Sequence, residues 1–159
     1  MTTATIIETL EGKFGKSIME KIVDEKKMVK IVVDKESVKG VALYLRDNLG
    51  FDHVKAVTGV DLSRLLKKED KIEVIYHIGS YVNTDLHRAD VGLSVKLEKK
   101  NPKMPTLTDV WPSAEYHERE VYEMFGVVFE GHPDLRRLLL PEYWNDIPPM
   151  LKDYEAPGR

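Results

Sequence analysis

Apolar residues along this chain change their spacing several times, and each change marks an element. From Ala4 to Phe14, the residues Ile6, Ile7, Leu10 and Phe14 fall on one helical face, and Gly15 ends the run. From Ser17 to Asp34 the pattern is strand-like. Ile18, Met19, Ile22 and Val23 precede a charged turn over Asp24 to Lys27, and Met28 to Val33 follows it, which predicts two short strands able to form a hairpin. A second helix comes next, with Asp34 or Ser37 as its cap. Its residues Val38, Val41, Ala42, Leu45 and Leu49 recur at helical spacing, and Gly50 stands at the expected C-terminal position.

Three further strands follow. Val54 to Asp61 carries mixed apolar residues around a turn-like Thr58-Gly59. Ile72, Val74, Tyr76 and Ile78 alternate with Glu73 and His77, and Val91, Leu93, Val95 and Leu97 alternate with Gly92, Ser94 and Lys96. The polar loop Asn83 to Asp90 between the last two predicts an antiparallel connection. These elements predict an α+β fold: a small, largely antiparallel sheet with helices on one face.

After Leu97 the character changes. Pro102, Pro105 and Pro112 punctuate a connector, and Ser113 to Phe125 forms a charged helix closed by Gly126. Pro141, Pro148, Pro149 and Pro157 exclude a regular helix or central strand from the final stretch. That stretch nevertheless carries Tyr143, Trp144, Ile147, Met150, Leu151 and Tyr154, unlike a disordered tail. Three parts are therefore expected: an α+β domain over 1–100, a connector and signature helix over 101–140, and an extended docking arm over 141–159. The alternative for the arm is that it folds back on its own domain.

Composition narrows the chemistry. A chain of 159 residues with 42% apolar content is large enough to bury its own core without a disulfide. The net charge of −3 gives no bulk field to attract nucleic acid or anionic lipid. Lys and Glu are abundant and Gln is absent, a bias resembling proteins from very hot environments. Without Cys, this chain has no thiolate to hold an iron–sulfur cluster or a Cys-based zinc site. Nowhere do about 18 apolar residues run together, and the N-terminus lacks a signal architecture. A soluble, intracellular protein is expected, with any membrane association borrowed from partners.

The catalytic near-motifs each lack a necessary residue. Gly15-Lys16-Ser17 resembles the end of a phosphate-binding loop, but the required earlier Gly is Leu10 and a helix, not a strand, precedes it. His117-Glu118 resembles the start of a zinc-protease helix, but the second His, one turn on, is replaced by Val121. Glu115, Arg119 and Glu123 sit at i, i+4 spacing, which gives modest helix support.

What raises these charged residues above that structural role is the run they belong to. Glu118-Arg119-Glu120-Val121-Tyr122-Glu123-Met124-Phe125-Gly126 is followed by His132-Pro133-Asp134-Leu135-Arg136-Arg137-Leu138-Leu139. This resembles the signature of the C subunit of the complex I family, the proton-pumping NADH:quinone oxidoreductases. Thr108-Asp109-Val110-Trp111-Pro112, Leu140-Pro141 with Trp144, and the closing Lys152-Asp153-Tyr154 resemble the same family, as does Thr58-Gly59-Val60-Asp61 upstream. One position departs: an Arg usually precedes the closing motif, and here it is Leu151.

The resemblance implies a cofactor-free structural subunit in the peripheral arm of a membrane-associated redox complex that couples electron transfer to ion translocation. Its partners would be a large hydrogenase-like subunit and a small iron–sulfur subunit, which hold the clusters and, in some assemblies, a NiFe centre. Nucleic acid is not a partner, and the chain would lie on the cytoplasmic side of the cell membrane. Since the chain is short for a bacterial or mitochondrial member and has a hot-environment composition, the resemblance implies an archaeal assembly: a membrane-bound NiFe hydrogenase, a sulfur-reducing complex or a deazaflavin dehydrogenase. The residues expected at the partner interface are Glu118, Arg119, Glu120, Glu123, His132, Asp134, Arg136, Arg137, Trp144, Lys152 and Tyr154. Arg119, Arg136 and Arg137 are the expected donors of bidentate pairs to partner carboxylates. Two rival readings are a stand-alone metalloenzyme using His117, His132 and nearby carboxylates, and an adaptor outside any redox complex.

Overall fold

A computed structural model describes residues 2–23, 28–65 and 68–158. The chain opens with α1 (Thr3–Phe14), whose first turn is capped by the Thr2 hydroxyl and whose Ile6 and Leu10 are buried. β1 (Ile18–Val23) pairs antiparallel with β2 (Met28–Val33), as the apolar spacing predicts. The charged turn expected between them, 24–27, lies outside the described residues. α2 (Val38–Asp47) starts at Ser37, whose N–H is held by the Asp34 carboxylate at 2.8 Å. Both cap candidates therefore act, Asp34 as the acceptor and Ser37 as the cap position.

β3 (His53–Asp61), β4 (Lys71–Gly79) and β5 (Asp90–Glu98) complete a five-stranded sheet in the order β1-β2-β5-β4-β3. Within this sheet only the β2–β5 pairing is parallel; the rest is antiparallel. Because side chains alternate across a strand, Ile72, Val74, Tyr76 and Ile78 share one face with Leu93, Val95, Ile31 and Val33. That face forms a single core with Ile6, Leu10, Val41 and Leu45 of the helices.

The opposite face is polar but organised. Glu73 is buried there, bonded to Lys30 at 2.7 Å and to the Ser94 hydroxyl at 2.6 Å. Lys96 sits between Glu20 and Glu69 at 3.1 Å from each.

The same core continues past residue 100. Met104, Leu107, Trp111, Val121 and Phe129 belong to it, and the Trp111 indole donates to the Phe51 carbonyl at 2.8 Å. The punctuated stretch is more than a connector. β6 (Lys103–Pro105) pairs in parallel with β7 (Val128–Glu130), and α3 (Glu115–Phe125) crosses between them behind a short 3-10 turn at Pro112–Ala114. Strands of three residues, one of them ending in Pro105, carry too little alternation to be read from sequence. Gly126 closes α3 at φ 78°, where its N–H donates to the Tyr122 carbonyl and a side chain would be strained.

Candidate partner interface

α3 organises everything that follows it, and it does so with buried charges. Glu118 is fully buried and accepts three hydrogen bonds: from the Tyr76 hydroxyl at 2.8 Å, the Thr106 hydroxyl at 2.5 Å and the Leu107 N–H at 2.9 Å. Burial lifts its carboxyl above the ordinary range, against the downward pull of these donors. Burial beside that carboxylate also pushes the Tyr76 hydroxyl well above its usual value, keeping it a donor. Glu118 therefore ties strand β4 to the segment leading into α3.

His132 closes the same cluster. Its Nε2 lies 3.0 Å from the Glu115 carbonyl, and its Nδ1 accepts the Asp134 N–H at 3.0 Å. These bonds assign the neutral ring with the proton on Nε2, so the 4.0 Å approach to Glu118 is not an ion pair. Both nitrogens are occupied, which leaves this ring no lone pair for a metal.

Arg119 and Glu123 shape the next segment from one helix face. The Arg119 guanidinium donates to the carbonyls of Arg136 and Arg137 at 3.0 and 2.9 Å. One turn on, the Glu123 carboxylate accepts the N–H groups of Leu138, Leu139 and Leu140 at 2.7 to 3.1 Å. A carboxylate cradled by successive backbone donors fixes a loop that has no secondary structure of its own. The result is that Leu138 and Leu139 point outward, Leu139 being 62% exposed.

The tail folds back at its far end. Asp61, at the end of β3, is 2% exposed and accepts the Lys152 N–H at 2.9 Å together with the N–H and hydroxyl of Ser63. Lys99 bridges Asp61 and Asp153 at 3.0 and 2.6 Å. Burial works to raise the Asp61 carboxyl, but the Lys152 and Ser63 donors and Lys99 outweigh it and bring its pKa down to about 2. Leu151, the position at which the sequence departs from the resemblance, packs against the core. Between the two anchored ends, Arg137 holds the Trp144 carbonyl at 2.7 Å, and the Trp144 and Tyr154 rings meet at 5.6 Å.

Three residues expected to face a partner thus point inward. The side chains of Glu118, Arg119 and Glu123 are buried and bonded within the chain, because a polar group in the core must find partners there. Arg119 in particular donates to backbone carbonyls of its own chain, not outward to a carboxylate. Glu120, Arg136 and Arg137 are exposed, although Arg136 also pairs with Asp134 at 3.0 Å and Arg137 holds Trp144. The exposed surface they border is apolar: Leu138, Leu139, Ile147, Met150 and Tyr143, the last 84% exposed. Met150 rims a cleft of about 350 Å³ between β3 and α3, lined by Val57, Gly59, Val121, Met124 and Phe125. Gly59 is required there, since a Cβ would stand 2.4 Å from the Phe125 ring. Sequence reasoning assigned no role to Tyr76, Thr106, Lys99 or Asp61. Of these, Tyr76 stood in the alternating strand from Ile72 to Ile78 and Asp61 in the run Thr58 to Asp61, but neither pattern names a partner for its polar group.

Comparison with known proteins places this geometry. The sequence pattern of the family described as the respiratory-chain NADH dehydrogenase 30 kDa subunit matches residues 31–159. The chain is 37% identical over 156 residues to the C subunit of F420H2 dehydrogenase from Methanosarcina mazei, covering 98% of this chain and 94% of that one. It is also 37% identical over 150 residues to the C subunit of NADH-quinone oxidoreductase from a Roseiflexus species, covering 93% and 82%. Among solved structures, the trypsin-resistant fragment (1–134) of Nqo5 superposes with a TM-score of 0.72 at 28% identity, over 85% of this chain and all of the fragment. A chain of the membrane-bound sulfane sulfur reductase, an archaeal respiratory membrane complex, shares the fold with a TM-score of 0.77 at 22% identity, over 96% and 85%.

Proposed function

The chain belongs to the 30 kDa subunit family of respiratory-chain NADH dehydrogenases, and from that premise we propose that it is a structural subunit of a complex I-related redox assembly. In this reading it carries no cofactor and docks on a large hydrogenase-like subunit, near a small iron–sulfur subunit. The partners hold the iron–sulfur clusters and, in a hydrogenase-type assembly, the NiFe centre. Among the described residues no helix is long and apolar enough to cross a membrane, which fits attachment through partners on the cytoplasmic side. The 37% identity to the C subunit of F420H2 dehydrogenase from Methanosarcina mazei supports an archaeal type of assembly.

The observation that carries the reading is the fixed display of apolar side chains from Leu138 to Met150. Exposed apolar groups of this size are a cost to an isolated chain unless a partner covers them. Here Glu123, Arg119 and Asp61 are spent on holding the backbone that displays them, which lowers the ordering cost of docking. Arg136, Arg137 and Glu120 would form the charged rim, and Trp144, Lys152 and Tyr154 would set the arm's path. Removing residues 141–159 should leave the α+β core folded and abolish co-purification with the large subunit. Undiminished assembly of the truncated chain would sink the proposal.

A further inference from the structure

The opposite edge of the sheet carries a second surface, remote in sequence from α3 and the tail. β1 ends the strand order, so the N–H and C=O groups on its outer side meet no further strand among the described residues. Edge strands are commonly shielded by outward charges. In β1 both charged side chains are bound within the chain, Glu20 to Lys96 at 3.1 Å and Lys21 to Glu11 at 2.5 Å. Beside the exposed Lys21, the edge presents apolar side chains: Met19, 71% exposed and set at a bulge between Ile18 and Glu20, with Ile22 and Val23. Ile22 also forms one wall of a cleft of about 340 Å³ on the polar sheet face, with Leu62 and Leu65, above the paired charges of Lys30, Glu73 and Lys96.

We propose that β1 is a strand-addition site that takes an extended, largely uncharged segment of another subunit. The segment lays its backbone along the outer edge of β1 and seats an apolar side chain in the cleft beside Ile22. The charges argue for this occupant. Those of β1 are already paired inside the chain, Glu20 with Lys96 and Lys21 with Glu11, so among the described residues a charged segment would find no unpaired counterion within 18–23. A second copy of this chain fits poorly. A two-fold axis between antiparallel edges makes one residue face itself. Across Ile18–Val23 the registers with the longest overlap then set Glu20 against Glu20 or Lys21 against Lys21, a like-charge contact in either case. The inference rests on the subunit reading above, because the donor strand is sought among subunits of the same complex.

Hydrogen exchange of the tagged full-length chain, alone and in its purified native complex, tests it. Amides within 18–23 should exchange at least about tenfold more slowly in the complex. A photo-crosslinking residue placed at Met19 should join one contiguous, largely uncharged stretch of another subunit. Equal exchange at 18–23 in an intact complex overturns this inference alone. So does a crosslink from position 19 to a second copy of the chain, or to no subunit of an intact complex. A chain that co-purifies with no other subunit overturns both this inference and the proposed function.

Discussion

Replacing Asp61 with Asn isolates the latch that holds the tail. The carboxylate of Asp61 receives the Lys152 N–H, two donors of Ser63 and the Lys99 ammonium, almost out of contact with solvent. Its pKa falls from 3.8 to about 2 in the folded chain. Each pKa unit corresponds to about 1.4 kcal/mol, so the charged form contributes about 2 kcal/mol to stability at neutral pH. The sign follows from the direction of the shift. A folded pKa below the unfolded one gives stability that is complete above about pH 4 and is lost as pH falls through about 2. D61N keeps the shape and one acceptor oxygen, but it turns an amide donor toward Lys99 or Lys152. Urea unfolding followed by tryptophan fluorescence at pH 7 should show a loss of about 2 kcal/mol. Limited proteolysis should cut within 141–158 sooner than in the parent chain, and the acid-dependent loss of stability should shrink. A D61N chain within about 0.5 kcal/mol of the parent, with an equally protected tail, would refute the latch and the argument built on it.

Other perturbations separate the remaining roles. Glu118→Gln should cost roughly 1 to 3 kcal/mol, because an amide donor then faces the Tyr76, Thr106 and Leu107 donors. The Glu118 pKa is raised, so its sign is opposite to that of Asp61. It favours the fold below its unfolded value, and that advantage is lost as pH rises through the folded value, so stability-versus-pH curves of E118Q should lack this fall. Gly59→Ala drives a methyl into the Phe125 ring and should cost about 1 to 3 kcal/mol by urea unfolding, with partial recovery in the G59A/F125L double variant. Glu123→Ala strips the acceptor from the N–H groups of 138–140. Circular dichroism should show the core intact, while hydrogen exchange at 138–140 accelerates and recovery of the proposed large-subunit partner in pull-down drops.

The sequence by itself determined the class and the order of the elements. Alternation in β4 and β5 and helical spacing in α2 are local signals, each fixed by which residues can share a buried face. The same is true of the closing glycine of α3, since only a residue tolerant of positive φ ends a helix in that way. The absence of Cys excluded thiolate ligation outright. The resemblance running from Glu118 to Leu139 correctly identified the family.

The directions of the charged side chains were not legible. Glu118, Arg119, Glu120 and Glu123 were all expected at a partner interface, because sequence spacing does not say which face of the helix the core will claim. Only the tertiary structure decided that Tyr76, 42 residues away in sequence, would meet Glu118, and that Asp61 would hold a tail 91 residues on. Such pairings depend on long-range closure, and a buried carboxylate is tolerated only where several donors converge on it. Tertiary structure likewise joined β6 to β7, and it left β1 as an edge whose charges are paired within the chain and whose Met19, Ile22 and Val23 are exposed. The motif supplied the residues; packing decided which of them hold the loop and which are left to meet another chain.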